Sequence, residues 1–205
     1  MNLIGITGLK TSGKDTTFEA IRTLTGGLAV RRAFADNLKR LGALALGYDY
    51  AKMDAFKEKG AIDVFDDASA SNSGDAISVV TGRQYLQNLG VGAREVFGSN
   101  FWVDQVLPLD RARRELIWCY HPELLELPKW AVVTDVRFPN EAQRVLDLGG
   151  EVWEVVRPGL ESDGHASEVP LPRDLVTRTI HNDGTIRDLL ENVEYALRNY
   201  KGGGS

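Results

Sequence analysis

Cysteine is almost missing from this chain: Cys119 is the only one in 205 residues. An internal disulfide framework and a cysteine-built zinc cage are thereby excluded, and the usage suits a reducing compartment. Long apolar runs are also missing. No stretch approaches the ~18 residues of a membrane span, and the N-terminus has neither a basic region nor room for a signal peptide before the first expected strand. The expectation is a cytoplasmic protein, in a host cytoplasm if phage-encoded, with no membrane partner. Clustered positive charge is the third absence. The 24 Lys and Arg are outnumbered by 29 Asp and Glu, for a net charge of -5, and they are scattered. Duplex nucleic acid, which needs a basic stripe, is not an expected partner.

What is present, 43% hydrophobic and 26% charged residues, is enough for one α/β core. The expectation is a single domain over residues 1–201, with Gly202-Gly203-Gly204-Ser205 as a flexible tail or linker scar.

Asn2 to Thr7 is a short apolar run meeting a glycine-rich turn at Gly8. Phe18, Ile21 and Leu24 then fall at helical spacing before Gly26-Gly27, giving strand, loop, helix. Asp36 reads as the N-cap of a second helix with Leu38, Leu41 and Leu44 on a stripe that should face the sheet, and Gly47 stops it. Residues 47–80 read as a mobile insertion, because Asp66 to Asp75 has almost nothing to bury. Gly82 to Val96 is helical, with Leu86, Leu89, Ala93 and Val96 on one side and Arg83, Gln87 and Arg94 on the other. A further helix is expected over Phe101 to Leu116. Trp130 to Thr134 is an apolar strand ending at Asp135, followed by a helix that Pro139 opens and Gly149-Gly150 closes. Glu151 to Val156 is a strand, 158–174 a lid, Thr177 to His181 a last short strand, and Ile186, Leu189, Leu190, Val193 and Leu197 mark a final helix. The β-α alternation predicts a mainly parallel sheet with helices on both faces.

Gly8-Leu9-Lys10-Thr11-Ser12-Gly13-Lys14 fits the phosphate-binding loop, in which main-chain N–H groups and a helix N-terminus cradle phosphates while a lysine reaches the terminal ones. ATP is the implied nucleotide. The bare pattern is weak; its position between a strand and an amphipathic helix gives it weight. Asp15 stands where this loop usually places a Ser or Thr on Mg²⁺, so a carboxylate is aimed at phosphates and calls for a cation between them; the plainer reading is a helix cap. Thr16 and Thr17 offer hydroxyls. Asp135, at a strand end, suits a second metal-ordering carboxylate, with Arg137 on phosphate, unless the two form an ion pair. Arg83 and Arg94 suit bidentate clamps on an acceptor phosphate, or are solvated charges. Lys39 is a similar candidate. Arg157 and Gly164 to Glu168 lie where a lid would close, although His165 also reads as an ordinary loop histidine. Phe101 and Trp102 offer a flat surface for a nucleobase or are core, with Asp104 as a polar contact.

Gly8-Leu9-Lys10-Thr11-Ser12-Gly13-Lys14-Asp15-Thr16 resembles the loop of bacteriophage-type deoxynucleoside monophosphate kinases, in which Gly-Lys-Asp replaces Gly-Lys-Ser/Thr. The blocks Phe34 to Lys39, Arg83 to Gly90, Asn100 to Asp104, Asp135 to Glu141, His165 to Glu168 and Ile180 to Asp183 look like family blocks in family order. The resemblance implies a three-layer nucleoside monophosphate kinase fold with a parallel five-stranded core, a mobile acceptor-binding region and a lid. It also implies transfer of the ATP γ-phosphate to a deoxynucleoside monophosphate with Mg²⁺. Asp36, Lys39, Arg83, Gln87, Arg94, Trp102, Asp104 and Glu168 then become the acceptor side, and homodimerisation stays open. The chain departs from the family at Asp66 to Asp75 and at Val91, where threonine is commoner. Rival readings are a kinase for another phosphorylated metabolite, of phosphomevalonate or dephospho-coenzyme A type, and a nucleotide-binding regulator or ATPase without an acceptor.

Overall fold

A computed structural model describes residues 1–65, 77–110, 112–114, 128–160 and 169–203. The described chain divides into two compact units, residues 1–34 with 103–205 and residues 35–102.

The first unit is built on a five-stranded sheet of β1 (Asn2–Thr7), β2 (Ala29–Arg32), β5 (Trp130–Val133), β6 (Glu151–Val156) and β7 (Arg178–His181) in the order β2-β5-β1-β6-β7. Every neighbouring pair is parallel. Buried on both faces, such strands are apolar throughout and sort their side chains by parity. Leu3, Val133 and Val152 enter one core, with Val145 of α6 (Pro139–Asp147). Ile4, Ile6, Val132 and Trp153 enter the other, with Phe18 and Ile21 of α1 (Lys14–Leu24) and Leu189 and Val193 of α7 (Ile186–Arg198). The three-layer α/β fold with a parallel five-stranded core is the one expected. β2 is an addition: the run Ala29-Val30-Arg31-Arg32 is short and half charged, yet Ala29 and Val30 are buried.

α5 (Phe101–Val106) and α7 differ from expectation. The helix expected over Phe101 to Leu116 is interrupted: α5 stops ahead of Pro108, which lacks the N–H a helix requires, and residues 112–114 are helical again. In α7 the buried stripe is Leu189, Val193 and Ala196, while Ile186 is exposed in the first turn.

The second unit holds α2 (Phe34–Ala45) from Ala35 on, α3 (Tyr50–Lys59), α4 (Gly82–Phe97) and the antiparallel pair of β3 (Ala61–Phe65) with β4 (Ile77–Thr81). The span 47–80, expected as a mobile insertion, contains α3, β3 and most of β4. Asp49 caps α3 by accepting from Lys52 N–H at 2.7 Å, and Met53 and Phe56 bury themselves in the cluster of this unit. Residues 66–76, which include the polar run, lie outside the described residues. α2 begins at Phe34, so Asp36 sits in its first turn rather than at the cap. Its Leu41 and Leu44 are exposed, because the packed side runs through Gly42 and Ala43. A Cβ on Gly42 would lie 2.9 Å from Leu86 Cδ2 and 3.2 Å from Tyr85 Cε1, so α4 takes the place expected of the sheet. In α4 the buried positions are Gly82, Leu86 and Gly90, and Thr81 caps it in a reciprocal box with Gln84. Val96, expected on the packed side, is exposed.

No described helix is long and apolar enough to cross a membrane.

Candidate phosphate-binding site

β1 ends at Thr7 and α1 starts at Lys14, so the loop between them lies at the carboxyl edge of the sheet, where open α/β folds receive ligands. Three of its residues have positive φ: Gly8 at 139°, Thr11 at 62° and Gly13 at 106°. Thr11 is the one positive-φ non-glycine among the described residues, a strained conformation of the kind that gathers at ligand sites. Alternation of this sort turns successive N–H groups inward into an anion nest. Gly8 must be glycine for a second reason, since a Cβ there would collide with the Val155 carbonyl and lie 2.8 Å from Ser12 Oγ.

Ser12 is buried at 1% exposure, and its hydroxyl has no hydrogen-bond partner among the described residues. A buried hydroxyl without a partner costs about 1–3 kcal/mol, and a phosphate oxygen in the cradle would satisfy it. The Lys14 ammonium donates to Gly8 O and Leu9 O, both at 2.7 Å, so its charge is folded onto the same loop. Thr17 N–H closes onto Gly13 O at 2.8 Å, and the amides ahead of it are those a helix leaves without an intrahelical acceptor. Lys10, Asp15 and Thr16 are exposed at this end. Thr17 is fully buried, and its hydroxyl also has no partner among the described residues.

The neighbouring strand ends deliver the other candidates of this unit to the same edge. Asp135 follows β5 and accepts from Phe34 N–H at 2.8 Å, which fixes one carboxylate oxygen. Val136 N–H donates to Ile6 O at 3.1 Å and ties this turn to β1. Arg137 is exposed, and its N–H donates to the buried carboxylate of Glu141 at 2.7 Å, so its main chain is held while its side chain faces out. Arg157 is exposed just past β6. Asn182, just past β7, donates from Nδ2 to Ser12 O at 2.7 Å; it was visible in the sequence only inside the block Ile180 to Asp183. Among the described residues no group of three His, Cys, Asp or Glu is arranged to hold a metal. Mg²⁺ in nucleotide sites is commonly held by one or two carboxylates with phosphates and water, and Asp15 and Asp135 suit that mode.

Asp104 also belongs to this unit. It accepts from Arg144 Nη1 at 2.7 Å, and the same nitrogen donates to Leu107 O at 2.6 Å. With Arg144 buried, this pair fastens α5 to α6.

The remaining acceptor-side candidates lie in the second unit. Arg83, Gln87 and Arg94 fall on one face of α4, as the spacing predicts. Arg83 meets both oxygens of Glu58 at 3.2 Å, and Lys57, then Arg83, hold that carboxyl below its usual range. Lys39 pairs with Asp54 at 2.7 Å. Burial works against the Lys39 charge, but the Asp54 hydrogen bond and the attraction of Tyr50 and Asp54 outweigh it and raise the pKa. Asp36 accepts from Tyr50 Oη at 2.9 Å. Trp102 is buried at 4% exposure and its indole N–H donates to Gly90 O at 3.1 Å, so it packs as core rather than offering a surface. The aromatic pair that reaches solvent is Phe97, 68% exposed, stacked on Phe101 with centroids 5.0 Å apart. Glu168 and His165 lie outside the described residues, as do residues 161–168 of the expected lid.

The parallel sheet with a glycine-rich strand-to-helix loop at its carboxyl edge defines an α/β fold of the P-loop kinase type. Known sequences narrow this. The chain is 29% identical over 178 residues to a putative deoxynucleotide monophosphate kinase of Acanthamoeba polyphaga mimivirus, a match covering 83% of this chain and 82% of that protein. It is 40% identical over 68 residues to the deoxynucleotide monophosphate kinase of Escherichia phage RB69, covering 33% of this chain and 28% of that protein. No protein-family model matches the chain. The two relatives support the deoxynucleotide monophosphate kinase family that the sequence blocks resemble.

Proposed function

We propose that the protein is a deoxynucleoside monophosphate kinase that moves the γ-phosphate of Mg-ATP to a deoxynucleoside monophosphate, giving ADP and the deoxynucleoside diphosphate. The observation that carries this reading is the cradle of Gly8 to Lys14, where three positive-φ residues, the Lys14 ammonium and the partnerless Ser12 hydroxyl converge. An anion with several oxygens satisfies all of them. The names of the two viral relatives support the choice of acceptor.

Phosphoryl transfer asks a protein mainly to position reactants and neutralise charge. Gly8, Lys10, Thr11, Ser12, Gly13, Thr16 and Thr17 are assigned to ATP, with Lys14 releasing its two carbonyls to meet the terminal phosphates. Asp15 and Asp135 would hold Mg²⁺, which would offset the negative charge of the phosphates. Arg137 and Arg157 supply guanidinium donors from the strand ends. Arg83, Arg94, Lys39, Asp36 and Gln87 are assigned to the acceptor. An acceptor phosphate is already ionised at neutral pH, so no general base is assigned.

The test is ADP release with Mg-ATP and a panel of ribo- and deoxynucleoside monophosphates, with Lys14→Ala as control. ADP formation that depends on a deoxynucleoside monophosphate and falls about 10²–10³-fold in the control supports the reading. ADP formation indifferent to every acceptor on the panel sinks it.

A further inference from the structure

Asn182 belongs to none of the groups assigned above, yet it touches the cradle from the far end of the chain. Its own N–H donates to Val156 O at 2.8 Å and continues the ladder between β6 and β7. Its predecessor His181 is held through its carbonyl by Asn192 Nδ2 of α7 at 2.9 Å. The carboxamide therefore extends from a fixed base. Its Nδ2 donates to Ser12 O at 2.7 Å. A backbone carbonyl can only accept, so the NH₂ side of the carboxamide must face it.

Ser12 C=O and Gly13 N–H are the two ends of one peptide unit, and in a planar trans peptide they point in opposite directions. Pinning the oxygen on Asn182 therefore aims the Gly13 N–H away from Asn182. That N–H has no acceptor among the described residues, and Gly13 is the N-cap position ahead of α1. A hydrogen bond onto an amide oxygen also polarises the same amide and strengthens its N–H as a donor, by ~10–30%. Gly13 also makes room for the contact: a Cβ there would collide with Asn182 Nδ2, so only glycine lets the carboxamide reach the loop.

We propose that Asn182 is a positioning residue that fixes and polarises the Ser12-Gly13 peptide so that the Gly13 N–H is presented to a nucleotide phosphate. The proposal rests on the cradle being a nucleotide site. It acts through the peptide, without contact between Asn182 and the nucleotide.

The experiment compares the full chain with its Asn182→Asp and Asn182→Ala variants. Asp keeps the size but sets an acceptor against an acceptor; Ala removes the contact. Calorimetric titration with Mg-ATP and with pyrophosphate gives Kd, and thermal unfolding gives Tm. The ¹H–¹⁵N shift of the Gly13 amide reports its polarisation. Asn182→Ala is expected to weaken binding of both ligands about tenfold and Asn182→Asp about 10–100-fold, the scale of losing or inverting one hydrogen bond. The Gly13 amide proton should move upfield in both, and the acceptor KM at saturating ATP should stay within about twofold. If Asn182→Asp fails to fold, the Ala variant carries the same three readouts. ATP affinity within twofold of the parent, or a fall in Tm with an unmoved Gly13 amide, overturns the proposal and leaves Asn182 a staple of the fold. A parent protein that binds neither ATP nor pyrophosphate overturns the nucleotide-site reading, and this proposal with it.

Discussion

The two units present their polar groups in different ways. At the carboxyl edge of the five-stranded sheet the candidate binding groups are main-chain amides, shaped by positive φ at Gly8, Thr11 and Gly13 and backed by the buried Ser12 hydroxyl. In the unit of residues 35–102 they are long side chains already matched to opposite charges or hydroxyls: Arg83 with Glu58, Lys39 with Asp54, Asp36 with Tyr50. A main-chain cradle is set by the fold and binds any phosphate that fits. Matched side chains must exchange partners before they hold a ligand, and choosing one acceptor over another is work suited to them. The ATP side is therefore expected to be the rigid half of the chemistry and the acceptor side the adjustable one.

The largest effect that would sharpen this contrast is at Lys14. Lys14→Ala should lower kcat by about 10²–10³-fold, the scale of removing one preorganised charge donor at a transferring phosphoryl group, with Tm close to the parent. Asp135→Asn comes next. Asn keeps an oxygen for the Phe34 N–H and deletes the charge, so kcat should fall about 10²-fold with little loss of stability. A large fall in Tm instead would make Asp135 a structural cap.

Arg83→Ala should raise the acceptor KM about tenfold while leaving ATP binding intact, the loss of one charge-assisted contact. Equal loss of ATP binding would move Arg83 to the donor side and erase the contrast. Trp102→Phe removes the indole N–H from Gly90 O and should cost about 1 kcal/mol in denaturant unfolding with kinetics unchanged. A raised acceptor KM at constant stability would restore Trp102 to the base site.

The smallest effect is in the pH dependence of stability. The Lys39 pKa is raised on folding, so its contribution is fully present below the unfolded value and is lost as pH rises through the higher folded value. Unfolding curves of the parent and Lys39→Met should thus be parallel near neutrality and converge only above about pH 10. Convergence at neutral pH would show that Asp54 does not hold the lysine.

The sheet and the cradle were legible because local pattern determines them. Apolar runs at 2–7 and 151–156 sit next to glycine turns, the run at 130–134 ends at Asp135, and the phosphate loop is a contiguous seven-residue signature. β2 was not legible, since a four-residue strand with two arginines has neither length nor apolar periodicity. α2 was legible as a helix, but its packed side was misjudged. Leu38 packs as expected, but Leu41 and Leu44 lie on the exposed face, whereas Gly42 and Ala43 mark the contact by allowing close approach. The pairings of Arg83, Lys39 and Asp104 were hidden for the same reason as that of Asn182 with Ser12: each partner lies many positions away, and spacing carries no record of it.

The most direct measurement follows the label from [γ-³²P]ATP with Mg²⁺ and a single deoxynucleoside monophosphate. The account predicts that the label appears as the β-phosphate of the deoxynucleoside diphosphate, in amounts matching the ADP formed, and that Lys14→Ala slows its appearance by about 10²–10³-fold. Label recovered only as inorganic phosphate, at a rate independent of the acceptor, would contradict it.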